Sequence, residues 1–140
     1  FLHYCVDWTI IFISLTHPMK RDFNLIRSIL LDVEASAPGG FIQEFTYNGY
    51  GPAIIGEHVE LLIEADLLDG EAHNSALGAD HPFYVVRRLT WAGHDFLANA
   101  KNDTIWKKVL ADAEQKGISV SLAVLDGLLK KAAQKYLGLE

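Results

Sequence analysis

The chain has 140 residues, half of them apolar, and a net charge of −6. That length holds one domain, and that composition excludes a disordered or collagen-like chain. A single Cys excludes a disulfide framework and every multi-cysteine zinc site, and the acidic balance gives no basis for sequence-blind nucleic-acid binding.

Residues 1–18 (FLHYCVDWTIIFISLTHP) are the most apolar stretch. They lack the basic start and small-residue cleavage site of a signal peptide. The run Trp8–Leu15, with Asp7 at its edge, falls short of the about 20 apolar residues of a membrane span. The one Met is Met19, and Met19-Lys20-Arg21-Asp22 looks like a bacterial start. Residues 1–18 therefore read as an upstream extension and residues 19–140 as a single domain. The alternative is an extra strand or helix packed on that domain. Cys5 has no partner or base nearby in sequence and takes no role.

Asp22 is placed to cap a helix, along which Leu25, Ile26, Ile29, Leu30 and Val33 recur at helical spacing. Ala37-Pro38-Gly39-Gly40 stops it. Phe41–Tyr47 is short and rich in aromatic and β-branched residues, which predicts a strand. Asn48–Pro52 is a turn, and Pro52 suits a first helical position. A second helix is expected to about Leu67, with Ile55, Val59, Leu62 and Ile63 on its apolar stripe. A strand over Leu67–Glu71 and another over Phe83–Leu89 flank a polar loop, Asp69–Pro82. Thr90 is placed to cap a helix from Trp91 to Ala100, and Asn102, Asp103 or Thr104 its continuation to Gln115. Gly117 breaks that helix. Ser119 or Ser121 opens a last one, with Leu122, Leu125, Leu128, Leu129, Ala132 and Tyr136 apolar and Gly138 as its stop. The order predicts an α+β fold: a winged helix-turn-helix-like domain with a small antiparallel sheet as wing and two additional C-terminal helices. Its apolar face should bury Ile29, Val59, Leu62, Leu89, Phe96 and Trp106.

Two motifs carry a resemblance. His58–Leu68 (HVELLIEADLL) resembles the recognition-helix signature of winged-helix regulators of the arsenic-repressor type. Leu89–Leu97 (LTWAGHDFL) resembles the segment after the wing in multiple-antibiotic-resistance regulators. From Met19 to Gly138 the chain also resembles a family of small phage and prophage proteins, the domain of unknown function numbered 2513. The opening MKRDFNLIRSILL, the HVELLIEADLL block and RLTWAGHDFLANAKNDTIWKKV carry that resemblance. It implies a fold, a phage setting and a start at Met19, and no catalytic residue. Asp66 stands where the family has Gly at a helix end, and Gly51–Ile54 where it has Ser followed by acids.

No catalytic or metal motif is present. His58, His73, His81 and His94 lack metal-ligand spacing, and no cofactor is implied. His58 reads as a satisfied, partly buried side chain, and His94 as packing or capping locally. There is no nucleophile elbow, phosphate loop or cysteine beside a base. The carboxylate pairs Asp103 with Glu114 and Glu57 with Glu60 read as solvated helix faces. Trp91, Phe96, Trp106 and Tyr136 suggest a ligand box, but their helical spacing fits packing better.

Charge is unevenly laid out. Residues 28–86 hold no Lys or Arg and ten acids, among them Glu57, Glu60 and Glu64 on the helix that would enter a major groove. Carboxylates there repel phosphate. The basic pairs expected near the wing are Arg87-Arg88 and Lys107-Lys108, and in a regular strand one of the two arginines must face out. Lys130 and Lys131 lie on the last helix. The expectation is a cytoplasmic winged-helix protein, with no enzyme activity, acting as a DNA-binding or transcription-related regulator. It would contact double-stranded DNA through Arg87, Arg88, Lys107 and Lys108. The alternative is a protein-contact module that meets a basic partner through Glu57, Glu60 and Glu64, with the final helix available to a homodimer. A chain shortened to begin at Met19 is expected to melt cooperatively near the full chain's midpoint. Loss of folding would make residues 1–18 structural.

Overall fold

In the computed structural model, which describes residues 19–73 and 82–138, Asp22 caps α1 (Phe23–Ala35). Its carboxylate accepts from the amides of Asn24 and Leu25 at 2.9 and 3.1 Å. The helix buries Leu25, Ile26, Ile29, Leu30 and Val33, the stripe read from their spacing. The proposed start of the domain has no counterpart to compare against, because residues 1–18 lie outside the described residues.

The strand expected over Phe41–Tyr47 is a correction: only Ile42 pairs, in an isolated bridge with Val86. Ile42 and Val86 exchange both amide bonds, at 2.8 and 2.9 Å. Beyond them the Phe45 amide donates to the Tyr84 hydroxyl at 2.7 Å. A side chain thus takes the amide that a ladder would need, and Phe45 tucks its ring against Tyr84 at 5.8 Å between centroids. Within the segment Phe45 alone is buried, whereas Phe41 is 63% exposed.

Pro52 occupies the first turn of α2 (Pro52–Glu64), behind a Gly51 that offers no side-chain cap. The helix ends three residues before the expected Leu67. Asp66 adopts φ 63°, its amide donates to the Ile63 carbonyl, and the Leu67 amide donates to the Leu62 carbonyl. These two bonds form a Schellman stop, in which the left-handed position favours Gly. Asp fills it here at some steric cost.

Among the described residues the sheet has two antiparallel strands, β1 (Leu68–Ala72) and β2 (Tyr84–Leu89). A bulge falls between Asp69 and Gly70: Asp69 faces Arg88, Gly70 faces Val86, and Arg87 has no opposite number. The hairpin tip, residues 74–81, lies outside the described residues. Thr90 then caps α3 (Trp91–Ala100) by accepting from the Gly93 amide. Asn102 caps α4 (Asp103–Gln115), and Ser121, not Ser119, caps α5 (Leu122–Tyr136). Gly117 and Gly138 end α4 and α5 with positive φ. Among the described residues the result is an α+β fold of five helices and one small antiparallel sheet, an order compatible with a winged-helix arrangement.

Two contacts lock the elements together. A Cβ on Gly93 would stand 2.1 Å from the Leu67 carbonyl oxygen, so α3 starts directly on the backbone that leaves α2. Thr90 reinforces this junction, its hydroxyl donating to the Asp66 carbonyl and its amide to that of Leu67. On the other side Arg27 of α1 donates to the carbonyls of Ala100 and Lys101 at the end of α3 and stacks over Trp106. The Trp106 indole N–H donates to Asn24 at 2.9 Å. Ile29, Val59, Leu62, Leu89, Phe96 and Trp106 are all buried.

Replacing Leu62 by Ala is expected to cost about 2–5 kcal/mol. Gly93→Ala should lower stability as well, although it raises helix propensity, because the added methyl meets backbone. Chemical denaturation of both variants checks this, and a Gly93→Ala chain as stable as the parent would contradict the close approach.

Candidate interaction surfaces

The helix α2 packs on α1 and β1, and its inner face includes a fully buried His58. The His58 Nε2 accepts from the Asp22 amide at 2.9 Å, and Nδ1 lies 2.8 Å from the Ile54 carbonyl. An amide can only donate, so the proton sits on Nδ1 and goes to Ile54. This histidine ties α2 to the start of α1 and is structural. The outward stripe of α2 carries Glu57 and Glu60, half-buried, and Glu64, exposed, with Ile54 and Leu61 among them. Spaced three and four apart, the three carboxylates lie along one stripe of α2.

On β2 the bulge changes what a regular strand would give. Arg87 and Arg88 are both exposed, because a bulge re-aims one side chain of its pair. Both turn to Asp69 of β1, with Nε atoms 3.4 and 3.7 Å from the same carboxylate oxygen. Such solvated pairs are worth little in stability, about 0–1 kcal/mol each, but they offset the charge that the hairpin shows to a polyanion. Arg87, Arg88 and His94 line an open notch of about 450 Å³ with Glu34, Gly39 and Gly40.

Lys107 and Lys108 lie on α4. Lys107 pairs with Asp103 at 3.0 Å, while Lys108 lines a groove between α4 and α5. Arg87 and Arg88 thus border one cavity and Lys108 another, while Lys107 lines neither. Lys130 pairs with Asp126 at 3.4 Å, and Lys131 joins Lys108 at the groove. That groove escaped sequence reading. Its signal was the width of the α5 stripe, which is too broad for one buried face.

The aromatic box does not form. Phe96 and Trp106 are core residues, whereas Trp91 and Tyr136 are 83% and 75% exposed. Among the described residues no three His, Cys, Asp or Glu side chains converge on a metal position, and no helix is long and apolar enough to cross a membrane. His81 and Cys5 lie outside the described residues. Asp103 and Glu114 stand at opposite ends of α4. The Lys107 ammonium, with Arg27 nearby, holds the Asp103 carboxyl below its usual range.

Three phenols are unusually reluctant to ionise. Burial and then the bond to Asp32 push Tyr47 far up. Burial raises Tyr84, against the opposing bond from Phe45. The bond from Tyr50 to Asp22, with some burial, pushes its phenol up to about 12. Tyr50 and His58 thus both hold Asp22, so the start of α1 is fixed from two directions.

Residues 20–119 match the family described as "Hypothetical protein (DUF2513)". The chain belongs to the DUF2513 family. It is also similar to a protein of Haemophilus influenzae named only as an uncharacterized protein. The two are 31% identical over 120 residues, which is 85% of this chain and 96% of that one. No solved structure matches the chain. The family match covers α1 to α4, with α5 beyond it.

The raised phenols set an alkaline limit. Below the ordinary value of 10.0 folded and unfolded chains both keep the Tyr50 proton, and its contribution to stability is whole. Between there and about 12 the unfolded chain releases it first, so stability falls as pH rises. The thermal midpoint is expected to drop across this window. Phenolate absorbance of the folded chain should rise at higher pH than that of the urea-unfolded chain, and coincident titrations would contradict the Asp22 and Asp32 contacts.

Proposed function

We propose that this chain is a non-enzymatic winged-helix-type module that contacts a basic protein partner through α2. One observation carries this: the outward stripe of the helix in the recognition position presents Glu57, Glu60 and Glu64. Next to it, Arg87 and Arg88 are turned onto Asp69. The surface that a winged helix would offer to DNA is therefore acidic or neutralised, and phosphate is repelled from it. A basic protein surface gains from the same charges in attraction, orientation and rate of encounter. Half-burial fixes the Glu57 and Glu60 stems, so less side-chain freedom is lost on binding.

The second reading is a phage or prophage regulator that binds double-stranded DNA in the cytoplasm. Its support is the exposure of both Arg87 and Arg88 at the hairpin edge, since competing phosphates would draw the guanidinium groups away from Asp69. In this reading Lys107 and Lys108 add contacts from α4. Fold resemblance alone does not decide between the two.

Two measurements on the same variants separate them. In the first reading the chain retains a Lys/Arg-rich helical peptide on a column at low salt, Glu57→Gln with Glu60→Gln weakens that retention, and duplex DNA gives no gel shift. In the second, DNA shifts at low salt, the double Gln variant strengthens it, and Arg87→Ala lowers the salt slope by about one unit. A DNA shift with that pattern would overturn the proposal.

A further inference from the structure

The α4–α5 hairpin borders an open groove of about 710 Å³. Val109 and Ala113 of α4 and Val124, Leu128 and Ala132 of α5 line it. Within each helix these residues are spaced by four, which sets them on one face. The neighbouring Leu125 and Leu129 of α5 are fully buried and face the core. Val124 and Leu128 lie on the flank of the same stripe and remain 52% and 40% exposed. The apolar stripe of α5 is therefore wider than its buried part, and its groove-side flank stays exposed among the described residues.

The charge around that exposed flank is one-sided. Lys108, Lys116, Lys131 and Lys135 line the groove against a single acid, Asp112. Arg27, Arg87, Arg88, Lys101, Lys107 and Lys130 all pair with carboxylates. Among the described residues none of those six ion pairs involves a groove lysine. Among the described residues six Lys and Arg side chains lie outside those pairs, and four of the six line this groove, while Lys20 and Arg21 stand just before α1.

These observations choose among occupants. A second copy meeting the groove symmetrically would set four lysines against four, a repulsive arrangement. Duplex DNA would satisfy the lysines and leave the apolar floor wet. A bilayer favours an amphipathic helix lying flat in its interface, whereas here two helices bound a cleft. A helix with apolar residues at i, i+3 or i+4, and i+7, flanked by Asp and Glu, matches both the floor and the rim. From Val124 to Tyr136 the α5 wall runs roughly 18 Å, the length of about three turns. We infer that the α4–α5 groove docks an acidic amphipathic helix of a partner protein. This surface is separate from α2 and opposite to it in charge.

The test titrates the full chain with a fluorescent peptide helix bearing Leu at i, i+3, i+4 and i+7 and Glu elsewhere. A matching peptide with Lys in place of Glu is the control, and backbone amide shifts locate the site. The Glu peptide should bind saturably, shift residues of α4 and α5, and outcompete the Lys peptide. Lys131→Glu with Lys135→Glu should weaken binding about tenfold or more, as should Val124→Asp at the floor. Both variants should keep the parent's melting midpoint, because the altered side chains are solvent-facing. Glu57→Gln with Glu60→Gln should leave this binding unchanged, which separates it from the α2 reading. No saturable binding, equal binding of the Lys peptide, or shifts confined to other elements would overturn the inference. So would self-association in sedimentation that Val124→Asp removes, or lysine-dependent binding to anionic vesicles or duplex DNA in place of the peptide.

Discussion

The contact between Gly93 and the Leu67 carbonyl determines how the two halves of this molecule meet. A helix can start against the backbone of another segment only where a Cβ is missing. Here the missing Cβ lets α3 begin where α2 has just ended and β1 begins. Thr90 serves both sides of that junction: it caps α3 and bonds back to the turn of Asp66 and Leu67. The angle of α3, and with it the seat of α4 and α5, follows from this one close approach. The threonine and glycine of the LTWAG segment are thus explained by packing, with no ligand required.

A second set of bonds carries α1 across the domain. Arg27 closes the open carbonyls at the end of α3 and covers the face of Trp106, whose N–H reaches Asn24 one turn earlier on α1. A lysine in place of Arg27 could not offer this planar fork. At the other end of α1, His58 and Tyr50 hold Asp22. Polar side chains that could pass for a site in the sequence therefore act as joints, and the surfaces left for partners are those the joints do not use.

Much of the fold was legible because the strongest local signals agreed with the packing. The caps Asp22, Thr90 and Asn102, the stop glycines Gly117 and Gly138, and the stripes of α1 and α2 each found the element expected. Phe41–Tyr47 failed as a strand because composition does not show which backbone groups find a partner: only Ile42 pairs, and the Phe45 amide goes to the Tyr84 hydroxyl. Both arginines of β2 face out because of a bulge that period-two reasoning cannot see. The division of the α5 stripe between core and groove was hidden for a related reason. Periodicity tells which residues share a face, but not which faces a neighbour covers. The acids Glu57, Glu60 and Glu64 lie along one stripe of α2, as their spacing on a single helix requires.

The bulge at Asp69 and Gly70 also guards against misassembly. With Ile42 bridging β2, β1 is the outer strand of the sheet among the described residues, and its free edge is a template for strand addition by another chain. The extra residue of the bulge, Arg87, is on β2, and it sharpens the local twist of the hairpin. Carboxylates at Asp69 and Glu71 would face an incoming strand with buried charge. Gly70 holds this device in place, because a Cβ there would stand 2.3 Å from the Val85 carbonyl. The register of the hairpin is therefore secured at one residue, and a side chain introduced there would push the two strands apart.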